Sequence, residues 1–251
     1  MPARTTRIAT ALVWAGGIAA LVSIVAALCS GPGYQAGLWR FGTGFTILRW
    51  SVYTAAGAGA VALTGCLLAA ANRLWSTALG GIAGVLLALL LLLIWPSWEL
   101  QKTARQVPPI HDITTDTDNP PQFVALLPVR RKTPNGPEYG GEKIAREQKA
   151  AYPDIQPVLL EAEPDRAFER ALAAARSMGW EIVAAVPAEG RIEATATTRW
   201  FRFKDDVVVR VSADGKGSRI DVRSKSRLGR SDLGANAKRI RAFFKTLNAN
   251  R

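Results

Sequence analysis

The sequence predicts an α+β protein of two unequal parts: three transmembrane helices, followed by a soluble β-α-β4-α domain with a curved antiparallel sheet. Two observations carry this. Residues 1–98 contain five basic side chains, Arg4, Arg7, Arg40, Arg49 and Arg73, and no Asp or Glu, so all 20 acidic residues of the 251-residue chain lie beyond them. Within that stretch Ile8 to Cys29, Trp50 to Ala71 and Leu74 to Trp98 carry no charged side chain, and each reaches the roughly 20 residues that cross a hydrocarbon core. The expected parts are a three-helix anchor at 1–98, a Pro-rich extracytoplasmic linker or arm at 99–150, and the soluble α+β domain at 151–251.

In lipid the backbone must satisfy its own hydrogen bonds, so the three runs are expected to be helical, and their Gly and Ala content favours close helix contact. Gly80 with Gly84 and Ala56 with Ala60 are small-residue pairs suited to packing within the bundle. Trp39, Trp50, Trp75, Trp95 and Trp98, followed by Lys102 and Arg105, read as head-group anchors. Arg4, Arg7 and the terminal amine favour a cytoplasmic start, which puts Ser30 to Arg49 outside and everything after Trp98 outside; Arg40 and Arg49 oppose this. The first run reads as an uncleaved helix, with a signal peptide as the alternative. Cleavage leaves the domain on the same side. No charged residue stands at mid-membrane, which argues against an ion or proton path through this chain. The location expected is the cytoplasmic (inner) membrane, multi-pass, with the C-terminal domain outside. Cys29 and Cys66 both fall in apolar runs, so the soluble part has no disulfide to rely on.

From Gln106 to Lys149 seven prolines interrupt any apolar period, which predicts loop. Val158 to Ala162 predicts a short strand, and Glu163-Pro164-Asp165 opens a helix whose face is Phe168, Leu172, Ala175 and Met178, closed by Gly179. Four strands follow at Trp180–Val186, Arg191–Phe203, Val207–Ser212 and Ser218–Ser224, rich in Val, Ile and Thr. A last helix, capped by Ser231, presents Leu233, Ala237, Ile240, Phe244 and Leu247.

Of the formal net charge of +12, seven units belong to the part beyond residue 98, and from Arg199 to the end there are fifteen basic and five acidic residues. Such a surplus suits anionic partners: membrane lipids, an anionic envelope component, or another envelope protein. Nucleic acid is not expected, because stacking aromatics are sparse among the cations and the chain carries a membrane anchor.

Three stretches have a familiar look. Pro108-Pro109-Ile110-His111-Asp112-Ile113-Thr114-Thr115-Asp116, Asp205-Asp206-Val207-Val208-Val209-Arg210, and Ser226-Arg227-Leu228-Gly229-Arg230-Ser231-Asp232-Leu233-Gly234-Ala235-Asn236 resemble the bacterial family named domain of unknown function 1499. The resemblance runs from about Gln106 to Leu247. It implies membrane-attached envelope proteins and brings no catalytic assignment.

Two readings compete at each candidate site. His111, the single histidine, beside Asp112 and Asp116 can form an acid–base pair; equally, alternating Asp and Thr form turns by bonding to their own backbone. Asp112, Asp116 and Asp118 can offer oxygens to calcium, but the spacing lacks the Gly and distal Glu of a calcium loop, and no metal or cofactor is expected. Arg223, Arg227, Arg230, Ser231, Asn236 and Arg239 can form an anion or partner site beside a helix N-terminus. Against that, Asp205, Asp206 and Asp232 can pair with the same arginines and lock the last helix to the sheet. Lys238, Arg241 and Lys245 form a basic stripe on that helix. The leading functional expectation is a non-catalytic, membrane-anchored envelope module that binds through the Arg223–Arg241 region. A hydrolase using His111, and a scaffold acting through the helix bundle, are the alternatives.

Overall fold

A computed structural model describes residues 2–94 and 106–249, which divide into two compact units at Leu100. The first unit is three helices, α1 (Pro2–Gln35), α2 (Phe41–Ala71) and α3 (Trp75–Ile94). All three are long and apolar enough to cross a membrane. The first two begin well before the uncharged runs, and the expected outer loop Ser30–Arg49 shrinks to residues 36–40. Trp39 closes that turn, donating its indole N–H to the Ser30 carbonyl at 2.9 Å. Trp95, Trp98, Lys102 and Arg105, expected as anchors, lie outside the described residues.

Small residues set how closely these helices approach. A Cβ on Gly16 would lie 2.6 Å from the Ala62 backbone nitrogen, and one on Gly84 would lie 3.1 Å from the Ala62 Cβ. Gly84 therefore packs inward as its pair with Gly80 predicted, but Ala56 and Ala60 are exposed; Ala55, Ala58, Ala62 and Ala69 are the buried ones on α2. Between α1 and α2 the Ser23 and Thr54 hydroxyls share a hydrogen bond of 2.8 Å. Outward stand Trp14, Leu21, Leu28, Leu67, Leu86 and Leu93, all exposed. An all-round apolar surface of this kind is stable where the solvent is lipid and unstable in water.

The second unit contains β1 (Asp112–Thr114), a one-turn α4 (Leu127–Arg130), α5 (Gly141–Ala151), β2 (Val158–Leu160), α6 (Pro164–Ser177), β3 (Glu181–Val186), β4 (Arg191–Thr197), β5 (Lys204–Asp214), β6 (Gly217–Ser226) and α7 (Ala235–Ala249). The sheet is antiparallel, in the order β1-β6-β5-β4-β3. β2 pairs with the other end of β6. The predicted β-α-β4-α order and open, curved sheet are what the chain forms. One predicted strand, Arg191–Phe203, stops at Thr197, and its aromatic end is a loop.

One face of the sheet is apolar. Ile192, Ala194, Val207, Val209, Ile220 and Val222 pack beneath α6 and α7 with Phe168, Leu172, Ile240 and Phe243, and the Trp180 and Phe243 rings stack at 5.4 Å. Because side chains alternate along a strand, the neighbours of these residues point to the opposite face. There stand Glu193 and Thr195 on β4, Asp206 and Arg210 on β5, Arg219, Asp221, Arg223 and Lys225 on β6, and Asp112 on β1.

The Pro-rich stretch expected as a linker or arm covers that second face. Phe123, Leu126 and Arg130 within it are buried, and Ile110 and Ile113 enter the main core. Of the two alternatives, linker or arm, the described residues 106–149 form the arm. The sequence does not choose between them because the segment has no period: its few apolar anchors are spaced irregularly between prolines. On the outer edge of β1, the Gln148 amide imitates a strand, accepting from the Thr114 N–H at 3.0 Å and donating to its carbonyl at 2.6 Å. An otherwise open sheet edge is thereby closed.

Candidate functional site

The charged face of the sheet holds Asp112, Asp116, Asp206, Arg223 and Arg227 of the expected site residues, and it is an ion-pair lattice. At its centre the Asp206 carboxylate takes Arg227 through two guanidinium nitrogens, at 2.9 and 2.7 Å, and Arg130 at 2.8 Å. The side chains of Arg130 and Asp206 are fully buried. Thr195 adds its hydroxyl to Asp206 at 2.9 Å. Arg130 also donates to the Asn135 and Lys225 carbonyls, leaving its Nε as a buried nitrogen with no acceptor. Burial pulls the Arg130 guanidinium below its ordinary pKa, and Asp206 opposes the fall.

Beside it, Arg223 grips Asp112 in a fork at 3.0 and 2.8 Å and donates to the Pro121 and Pro137 carbonyls. Lys225 approaches the same carboxylate at 3.1 Å, and its ammonium is pushed below its usual pKa by burial. The Phe123 ring lies between the two buried arginines, 4.7 Å from the Arg130 guanidinium and 4.9 Å from that of Arg223. Cation–π attraction of this kind is strongest where water is excluded. Glu193, fully buried, accepts the backbone N–H groups of Val124, Ala125 and Leu126 and pairs with Arg191. Arg210 and Arg219 share Asp116 and Asp221. Burial alone would raise the Asp116 carboxyl, but the Asn119 amide, Arg210 and Arg219 together hold it below the usual range.

A second polar cluster sits on the helix side at the end of β5 and β6. Arg239 pairs with Asp205 and donates to Ser224, whose hydroxyl also bonds Asn236 at 2.6 Å. Asn236 in turn donates to the His111 carbonyl at 3.0 Å. α7 is capped by Asp232, not Ser231: the Asp232 carboxylate accepts the Gly234 and Asn236 amides at 2.8 and 2.9 Å, whereas Ser231 accepts only from Leu233. Burial raises the Asp232 carboxyl despite those donors.

Each expected site residue now has a place. Arg223, Arg227, Arg239 and Asn236 are bonded internally, and Arg230 is exposed and unpaired among the described residues. Asp205 and Asp206 hold ion pairs; Asp232 holds backbone amides instead. His111 Nδ1 lies 3.3 Å from the Arg230 carbonyl, and neither Asp112 nor Asp116 bonds it. Asp116 lines an open polar hollow of about 220 Å³ with Asp118, Gln148, Lys149 and Arg219; His111 and Asp112 do not line it. Among the described residues no group of three or more His, Cys, Asp or Glu can hold a metal ion. Arg130, Phe123 and Glu193 are site residues that the sequence reading misses. The alternation of Glu193 and Asp206 within Val- and Ala-rich strands is the one available signal, and it reads as a solvent face unless something covers it.

The class defined by these features is an ion-paired α+β domain on the same chain as three membrane-compatible helices. The family model described as Protein of unknown function (DUF1499) matches residues 112–247, and the chain belongs to that family. No curated protein matches. The solved structure of TTHA0849 from Thermus thermophilus is similar at 12% identity, covering 38% of this chain and 92% of that one, with a TM-score of 0.25.

Proposed function

We propose that this protein is a membrane-anchored module of the bacterial envelope, multi-pass in the cytoplasmic membrane. In this reading it presents its α+β domain on the extracytoplasmic side and binds an anionic surface or partner by charge, without catalysis. One observation carries the reading. After internal pairing is taken out, Arg199, Arg202, Lys204, Lys216, Arg230, Lys238 and Lys245 remain exposed and without a carboxylate partner among the described residues, against Asp214 as the exposed acid of the same stretch. The carboxylates are used to build the fold, and the surplus of cations faces solvent. A field of one sign attracts anionic partners and weakens with salt. The binding residues are thus the unpaired cations, rather than the Arg223, Arg227 and Arg239 that the sequence suggested.

The test holds the full chain in phosphatidylcholine nanodiscs and offers it phosphatidylglycerol vesicles. Binding is expected to fall steeply with salt and to weaken on Arg230→Glu, Lys238→Glu and Lys245→Glu together. Binding that ignores both changes overturns the reading. For sidedness, Lys216→Cys in intact cells is expected to react with a membrane-impermeant maleimide; protection until the membrane is opened would reverse the topology.

A further inference from the structure

We propose that the loop joining β4 to β5, residues 198–203, with Lys204 at its end, is the surface by which the domain enters the head-group layer of an anionic bilayer. This rests on the reading above and names the partner that it leaves open.

The loop reads Thr198-Arg199-Trp200-Phe201-Arg202-Phe203-Lys204. Three cations are interspersed with three aromatic rings, the composition that favours the boundary between head groups and hydrocarbon. Trp200 is 40% exposed, the one aromatic side chain of the second unit that is exposed among the described residues. Arg199, Arg202 and Lys204 are exposed and lack carboxylate partners among the described residues. The loop is held in shape. The Thr198 N–H donates to the Phe203 carbonyl at 2.9 Å, the Phe203 N–H donates to the Thr198 hydroxyl at 2.8 Å, and the Phe201 and Phe203 rings stack at 5.4 Å. Arg202 holds φ at 52°, a conformation that disfavours a residue with a side chain, and strain of this kind is kept where the placement of a side chain matters.

Position agrees with composition. The strand register puts Asp205 opposite Ser226, the Arg227 N–H donates to the Lys204 carbonyl at 3.1 Å, and the Ser226 N–H donates to the His111 carbonyl at 2.9 Å. The loop therefore lies at the end of the sheet where the polypeptide enters the domain, immediately before β1. At the opposite end the β5–β6 turn, Asp214-Gly215-Lys216, has no aromatic residue and balanced charge. An anionic bilayer attracts the three cations, and the exposed Trp200 indole is stabilised at its boundary, while Phe201, which is buried, and Phe203 hold the loop in shape beneath it. Among the described residues, no other loop between the strands combines the two.

The test uses the full chain with Cys29→Ala and Cys66→Ala, carrying an environment-sensitive fluorophore at Trp200→Cys or at Lys216→Cys, in nanodiscs of phosphatidylcholine with a minor share of phosphatidylglycerol. Lipids spin-labelled at the head group are expected to quench the probe at 200 several-fold more than the probe at 216, and aqueous iodide to do the reverse. Arg199→Glu with Arg202→Glu is expected to return iodide access at 200. Equal iodide quenching at both positions overturns the proposal. So does a probe at 200 that neither quencher reaches, which would mean that protein covers the loop. In either case salt-sensitive vesicle binding, tested through Arg230, Lys238 and Lys245, still stands or falls by itself.

Discussion

The two faces of the sheet use the same strands and opposite chemistry. Under α6 and α7, Ile192, Val207, Val209, Ile220 and Val222 meet other apolar groups. On the far side Asp206, Arg223, Lys225 and Glu193 are buried just as deeply, beneath a proline-rich arm rather than helices. An apolar face needs only volume and contact, and neighbouring side chains substitute for one another. A charged face tolerates no partial solution, because each buried charge must find its partner and its hydrogen bonds. The first face thus supplies general cohesion. The second dictates where one particular segment of chain must lie.

The largest test of this contrast is Asp206→Ala. It leaves Arg130, whose side chain is fully buried, and Arg227 without their carboxylate, and breaking a buried pair costs about 3–5 kcal/mol. Chemical denaturation of the full chain in detergent should show a loss of that size in the soluble domain. The sharper form replaces the whole triad, Arg130→Met, Asp206→Leu and Arg227→Met, and should recover most of the loss, since apolar groups of similar volume leave no charge behind. If the triple variant is no more stable than Asp206→Ala, the face is held by geometry specific to these ions. On the apolar side Ile220→Val, at a fully buried position, should cost only about 0.5–1.5 kcal/mol. A loss there equal to that of Asp206→Ala would erase the distinction between the faces.

The same contrast explains what could be read in advance. Phe168, Leu172 and Ala175 recur at helical spacing, and Val207, Val209 and Val211 alternate, so α6, α7 and the four long strands follow from period alone. The arm has no such signature. Ile110, Ile113, Phe123 and Leu126 are irregular in spacing; the first two enter the apolar core, while Phe123 lies against the buried arginines, so the arm does not look like core in isolation. Arg130 finds Asp206 across 76 residues of chain, a separation over which single-sequence reading has no lever. The arginine-rich motif was visible with both its uses, and the structure engages Arg223, Arg227 and Arg239 internally. At α7 the sequence placed the cap on Ser231; the chain uses Asp232, whose two oxygens reach two amides where the hydroxyl of Ser231 reaches one.

The smallest expected effect concerns a pair outside the buried lattice. Arg241 on α7 bonds Asp154 through two nitrogens, at 2.6 and 2.7 Å, with side chains 45% and 53% exposed. The Arg241 hydrogen bonds hold the Asp154 carboxyl below its usual value. A carboxyl whose pKa is lower folded than unfolded contributes stability above the unfolded value, about 3.9, and loses it as pH falls through the folded one. Water and salt screen so exposed a pair, so Asp154→Asn should cost at most about 1 kcal/mol at neutral pH. The cost should shrink in high salt and vanish once the pH lies below the carboxylate range. Denaturation midpoints of the two forms, compared across pH and salt, should converge under both conditions. A difference that persists in acid would mean that Asp154 acts through packing rather than charge, and that ion pairs outside the covered face matter more to this domain than their exposure implies.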